Sequence, residues 1–86
     1  MQRRWVVSPD YRSAIEAVKA ARIAAGITQR ELARRLGKPP SFINKIEILE
    51  RRLDLLEFVA IAQAIGIEAP ILMAQVLRAL PDRVEL

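Results

Sequence analysis

Ser41, Asn44 and Lys45 share one side of a short segment whose other side carries Ile43 and Ile46. Nothing in this set is a nucleophile beside a base. What it offers is hydrogen bonding: a hydroxyl that donates or accepts, a carboxamide that does both at once, and an ammonium that donates. A carboxamide on a helix can pair with the edge of adenine, and an ammonium can meet phosphate or guanine. Lys38 lies just before this segment, Arg51 and Arg52 just after it, and Gln29 begins the helix before it. The chemistry on offer is recognition of a polyanion with readable edges.

Two helices are needed to hold such a surface. Thr28 is a good N-cap, and Glu31 stands three residues later, at capping-box spacing. Leu32, Ala33 and Leu36 fall on one helical face, and Gly37 supplies a left-handed C-cap. Pro39 and Pro40 fit the first turn of a new helix but not an interior. Helices are therefore expected over 29–36 and 40–48. A short helix, a glycine turn and a second helix with a polar outer face make the layout of a DNA-binding helix-turn-helix.

The rest of the 86-residue chain reads as support for that unit. A first helix should begin with Ser8 as cap and Pro9 at its first position, with Asp10 at the positive end of the dipole. Ile15, Val18, Ala21, Arg22 and Ile23 carry it toward Gly26. A fourth helix should open on Asp54 and Glu57, a second capping box, with Leu55, Phe58, Val59, Ala62 and Ile65 buried and Gly66 as stop. A fifth is expected over 70–80. Its residues Ile71, Leu72, Met73, Val76, Leu77 and Leu80 span a wide apolar arc, which suits burial on two sides. One side would be the domain itself. The other is either more of the same core or a partner subunit, with Leu72, Val76 or Leu80 at a twofold interface. Residues 8–80 then form one domain between an arm, 1–7, and a polar tail, 81–86. The arm is a loose end, a strand paired across a dimer, or a reach toward DNA through Arg3 and Arg4.

Composition narrows the function. Apolar residues make up 52% of the chain, too many for a disordered protein, and no apolar run approaches membrane-span length. The N-terminus has no long apolar stretch of the kind a secretory signal needs, so a cytoplasmic location is expected. Cysteine and histidine are both absent, which removes disulfides, thiol chemistry, imidazole acid–base catalysis and the common zinc sites. No cofactor, metal, membrane partner or catalysis is expected. Residues 1–52 hold 12 Lys/Arg and 5 Asp/Glu, a balance of +7, whereas residues 53–86 carry −3. A basic half containing the helix-turn-helix, backed by an acidic half, suits a face that binds a polyanion.

The order of motifs is also that of a known family. Thr28-Gln29-x-x-Leu32-Ala33-x-x-Leu36-Gly37, then Ser41-x-Ile43-x-x-Ile46-Glu47, resembles the Cro/C1-type (XRE) helix-turn-helix regulators. Glu50-Arg51-Arg52-Leu53-Asp54-x-x-Glu57-Phe58 is similar to a bacterial and phage subgroup, and the likeness runs from about Tyr11 to Ile67. The resemblance implies an all-α, five-helix, lambda-repressor-like fold and sequence-specific binding of double-stranded DNA by a homodimer. It implies base readers at Pro40, Ser41 and Asn44 and a phosphate contact at Gln29. Lys38, Lys45, Arg51 and Arg52 complete the expected interface. It also implies a structural ion pair, Arg22 with Glu47, bridging the first and third helices. The chain departs from the family at Pro40, where Gln or Arg is common, and at Leu49, where Gly is usual. Leucine disfavours the left-handed backbone, so the third helix is expected to run on or the following loop to bend differently. The alternative function is a protein-interaction module, such as the antitoxin subunit of a toxin–antitoxin pair or an accessory factor with weakened DNA contacts.

Overall fold

The structure, a computed structural model, describes residues 7–86. The readings made for the arm before Val7 lie outside the described residues. Five α-helices follow in order: α1 Pro9–Ala24, α2 Gln29–Arg35, α3 Phe42–Glu47, α4 Leu55–Ile65 and α5 Ala69–Arg78. No strand occurs among the described residues, and no single helix is long and apolar enough to cross a membrane.

Side-chain caps set three of the starts. Ser8 Oγ accepts the Tyr11 N–H at 3.0 Å, and Thr28 Oγ1 accepts that of Glu31 at 3.1 Å. Asp54 and Glu57 close a full capping box, each side chain taking the other's backbone N–H. At α2 the box stays half made, because the Glu31 carboxylate turns to Arg34 and Arg35 instead. Regular α3 begins at Phe42 rather than Pro40. Neither proline has an N–H to give, and each pushes its predecessor toward extended backbone. The chain makes a tight turn, with Phe42 N–H bonded to Pro39 O at 2.9 Å, and only then winds into helix.

The end of α3 overturns the expectation for Leu49. The helix does not run on, and the loop takes the backbone usual for glycine, with Leu49 at φ 67°. The N–H of Glu50 reaches Lys45 O and that of Leu49 reaches Ile46 O, a complete Schellman closure with leucine in the glycine position. The left-handed conformation costs a non-glycine residue roughly 1–2 kcal/mol. Leu49 is 3% exposed, and full burial of a leucine side chain returns about 1.5–3 kcal/mol. Burial outweighs the strain, so the loop is kept.

The core gathers Ile15 and Val18 of α1, Leu32 and Ala33 of α2, Ile43 and Ile46 of α3, Phe58, Ile61 and Ala62 of α4, and Leu72 and Val76 of α5. α1 packs on α5 and α3, α2 on α3 and α4, and α4 on α5. Tyr11 Oη accepts the Leu53 N–H at 3.0 Å, tying the link before α4 to α1. Two expectations fail here. Leu55 is 74% exposed, because it sits at the first position of α4 beyond the edge of the core. Leu72 and Val76 are buried in their own domain, so neither is available to a second subunit. The outward apolar residues of α5 are Ile71, Met73 and Leu77.

Candidate nucleic-acid interface

α3 is amphipathic over six residues. Phe42, Ile43 and Ile46 are buried, while Asn44 and Lys45, with Ser41 at the cap, are exposed. Pro40 and Lys38 continue the exposed surface through the turn. Four of the expected base and phosphate readers therefore stand around one short helix, with a proline at its leading edge.

The angle of α3 is held from its C-terminal end. Arg22 Nε donates to Glu47 Oε2 at 2.7 Å and Arg22 Nη2 to Glu47 Oε1 at 3.1 Å, a bidentate pair. Arg22 Nη1 donates to Ile27 O at 2.7 Å. Gln29 Nε2 donates to Glu47 Oε1, also at 2.7 Å. The two charged side chains are only 10% and 6% exposed. Each N–H and each carboxylate oxygen so engaged is satisfied, which is what a buried ion pair requires. The network joins the end of α1, the start of α2 and the end of α3. Gln29 is half-buried within it, its carboxamide turned to Glu47 rather than standing fully in solvent.

A second set of contacts holds the other end. Arg51 forks onto Glu57, Nη2 to Oε2 at 2.6 Å and Nη1 to Oε1 at 2.8 Å, and Nη1 also meets Arg52 O at 2.7 Å. The same guanidinium lies 4.7 Å from the centre of the Phe42 ring, and Lys38 Nζ lies 5.5 Å from it. Cations over an aromatic face are attracted to it. Bonding to Arg51 holds the Glu57 carboxyl below its usual range and raises the Arg51 guanidinium. Arg51 thus fastens the start of α4 to the start of α3, and its fork is filled from within the chain. Arg52 is exposed and stacks over the Tyr11 ring at 5.1 Å.

The sequence reading passed over three residues. Phe42 anchors α3 between two cations. Arg30 and Arg34 join Lys38 around a shallow cleft of about 400 Å³ beside Thr28, Glu31 and Pro40. Arg30 and Arg34 stand at the helical i, i+4 spacing on α2, a signal the sequence offered, and Lys38 joins them from the turn beyond the helix. Bonding to Arg34, then Arg35, pushes the Glu31 carboxyl down to about 2. One carboxylate serves two arginines there, so the row keeps a net positive charge.

An all-helical bundle that presents a short, polar-faced helix after a glycine turn defines a helix-turn-helix protein. Comparison with known proteins agrees. The helix-turn-helix family model matches residues 18–72. An XRE-family like protein from Pseudomonas syringae pv. tomato str. DC3000 superposes with a TM-score of 0.75 at 43% identity, over 84% of this chain and 88% of that one. None of the curated proteins matches. The chain belongs to the XRE-type helix-turn-helix family of DNA-binding regulators.

Proposed function

We propose that the protein is a sequence-specific transcriptional regulator that reads the major groove of double-stranded DNA with α3, as a homodimer on a palindromic site. The observation that carries this is the outward face of α3. Ser41, Asn44 and Lys45 are exposed there, while the helix is locked from behind by Phe42, Ile43 and Ile46. A rigid helix with small polar readers and a cationic surround suits a groove lined by phosphate. Asn44 takes the paired contact to adenine, Ser41 a single bond to a neighbouring base edge, and Pro40 packs by shape. Lys38, Lys45, Arg30, Arg34 and Arg52 meet the phosphates, with Gln29 offering its backbone N–H at the start of α2. Arg51 contributes less directly, since Glu57 holds its fork. The Arg22–Glu47 pair serves geometry.

Selection of duplexes from a random pool tests this reading. A recurrent motif whose affinity falls steeply with salt supports it. The competing reading, a protein-interaction module, draws on the internal pairing of Arg51 and the exposed apolar residues of α5. It gains ground if no duplex is enriched at any salt concentration.

A further inference from the structure

A groove of about 270 Å³ runs between α1, the start of α4 and α5. Ile15, Phe58 and Val76 form its buried floor, and Tyr11, Leu55 and Met73 stand along its walls. Leu55 is 74% and Met73 37% exposed, so the walls are open to solvent. Isolated apolar residues on a surface need no explanation, but two that wall a groove floored by the core do. Asp54 is the one charged residue lining the groove. Its Oδ1 is engaged as the cap of α4, taking the Glu57 N–H at 2.7 Å. The groove thus offers apolar surface with a single acceptor at its lip.

We propose that the chain's own N-terminal arm covers this groove, with the Trp5 indole seated between Tyr11, Leu55 and Met73. Three observations select that occupant. The first is reach. Val7, where the described chain begins, already packs against the core, and Tyr11 follows it by four positions. The arm therefore joins the domain beside the end of the groove that Tyr11 lines. Trp5 precedes Val7 by two residues, a backbone reach of up to about 7 Å before the indole itself is counted. The second is room. A cavity of about 150 Å³ accepts benzene, so a groove of about 270 Å³ admits the larger indole. The third is chemistry. An indole has an apolar body and one N–H that needs an acceptor when buried. A carboxylate has several acceptor sites, and the Asp54 cap uses one of them for Glu57. The same contact covers Leu55, the large apolar residue that the described helices leave in solvent.

The contact is independent of α3, and its test needs no DNA. Trp5 is the only tryptophan of the chain, so the fluorescence of the full chain reads this residue alone. Its emission should lie well to the blue of the urea-unfolded chain, and acrylamide should quench it several-fold less. Leu55→Glu should return both quantities toward the unfolded values with unchanged helical circular dichroism. The site is exposed, and an acidic side chain suits the first turn of a helix. In the wild type, nuclear Overhauser contacts should join the indole ring to the Leu55 and Met73 methyl groups. That measurement decides the matter even if the variant fails to fold. Emission and quenching equal to those of the unfolded chain would overturn the proposal. So would a blue emission that Leu55→Glu leaves untouched. A blue emission that reverts on dilution while the helices persist would also overturn it, since the indole would then sit on a second copy.

Discussion

Gln29 and Glu47 stand eighteen positions apart in the chain, and the Gln29 carboxamide donates to the Glu47 carboxylate at 2.7 Å. That carboxylate already holds the Arg22 fork. The first residue of α2 and the last of α3 are therefore fixed to one another through a group that is itself fixed to α1. Glu47 therefore helps to set the angle between the two helices, together with their apolar packing through Leu32, Ala33, Ile43 and Ile46.

Loss of Glu47 should be expensive for that reason. Glu47→Ala strands the Arg22 charge in a place only 10% exposed, and an unpaired buried charge of this kind costs roughly 3–5 kcal/mol. Gln29→Ala removes one bond to a charged group and should cost about 1.5–3 kcal/mol. Urea unfolding of both variants gives the comparison. DNA affinity should fall with Glu47→Ala although Glu47 faces the core and not a base.

Leu49 separates strain from burial. Leu49→Gly relieves the left-handed backbone but gives up the buried side chain, so its net destabilisation should be small, about 1 kcal/mol. Leu49→Ala gives up most of the burial and keeps the strain, and should cost more, about 2–4 kcal/mol. Thermal or urea unfolding should rank wild type above Gly and Gly above Ala. The reverse order of the two variants would mean that strain counts for little at this loop, and a Gly variant above wild type would mean that strain outweighs burial.

Arg51 and Lys45 should part company under salt. Lys45→Ala is expected to weaken binding to every duplex alike and to flatten the salt slope by about one unit. Arg51→Ala loses Glu57 and the Phe42 ring instead, so it should lower stability while the slope stays close to that of wild type. Fluorescence anisotropy across a salt series, with unfolding curves for the same variants, distinguishes the two roles.

Much of this was legible in the sequence because helix ends are local chemistry. Ser8, Thr28 and Asp54 announce three starts, and Gly37 and Gly66 announce two stops, each through bonds that span only a few residues. The Leu32, Ile43 and Ile46 core follows from periodicity. What was not legible depends on distance. The Arg51–Glu57 fork and the Phe42 stack arise from how the loop after α3 folds back, and that loop turns on a leucine in a conformation that leucine seldom takes. Leu55 fits the period of α4 but lies past the end of its neighbours, and period alone does not measure the length of a core. The wide apolar arc of α5 was visible; which side of it faces inward was not, since both sides carry leucine.

Asn44 carries the central claim. The most direct test is the affinity of wild type and Asn44→Ala for the duplex enriched from a random pool, measured against a scrambled duplex at the same salt concentration. Asn44 is exposed, and its side chain makes no hydrogen bond or ion pair among the described residues, so the variant should unfold like wild type. The loss expected on the selected duplex is about 1–3 kcal/mol, with little change on the scrambled one and relaxed preference at a single base position. Equal affinity of wild type and variant for both duplexes would contradict the assignment of α3 as the reading helix.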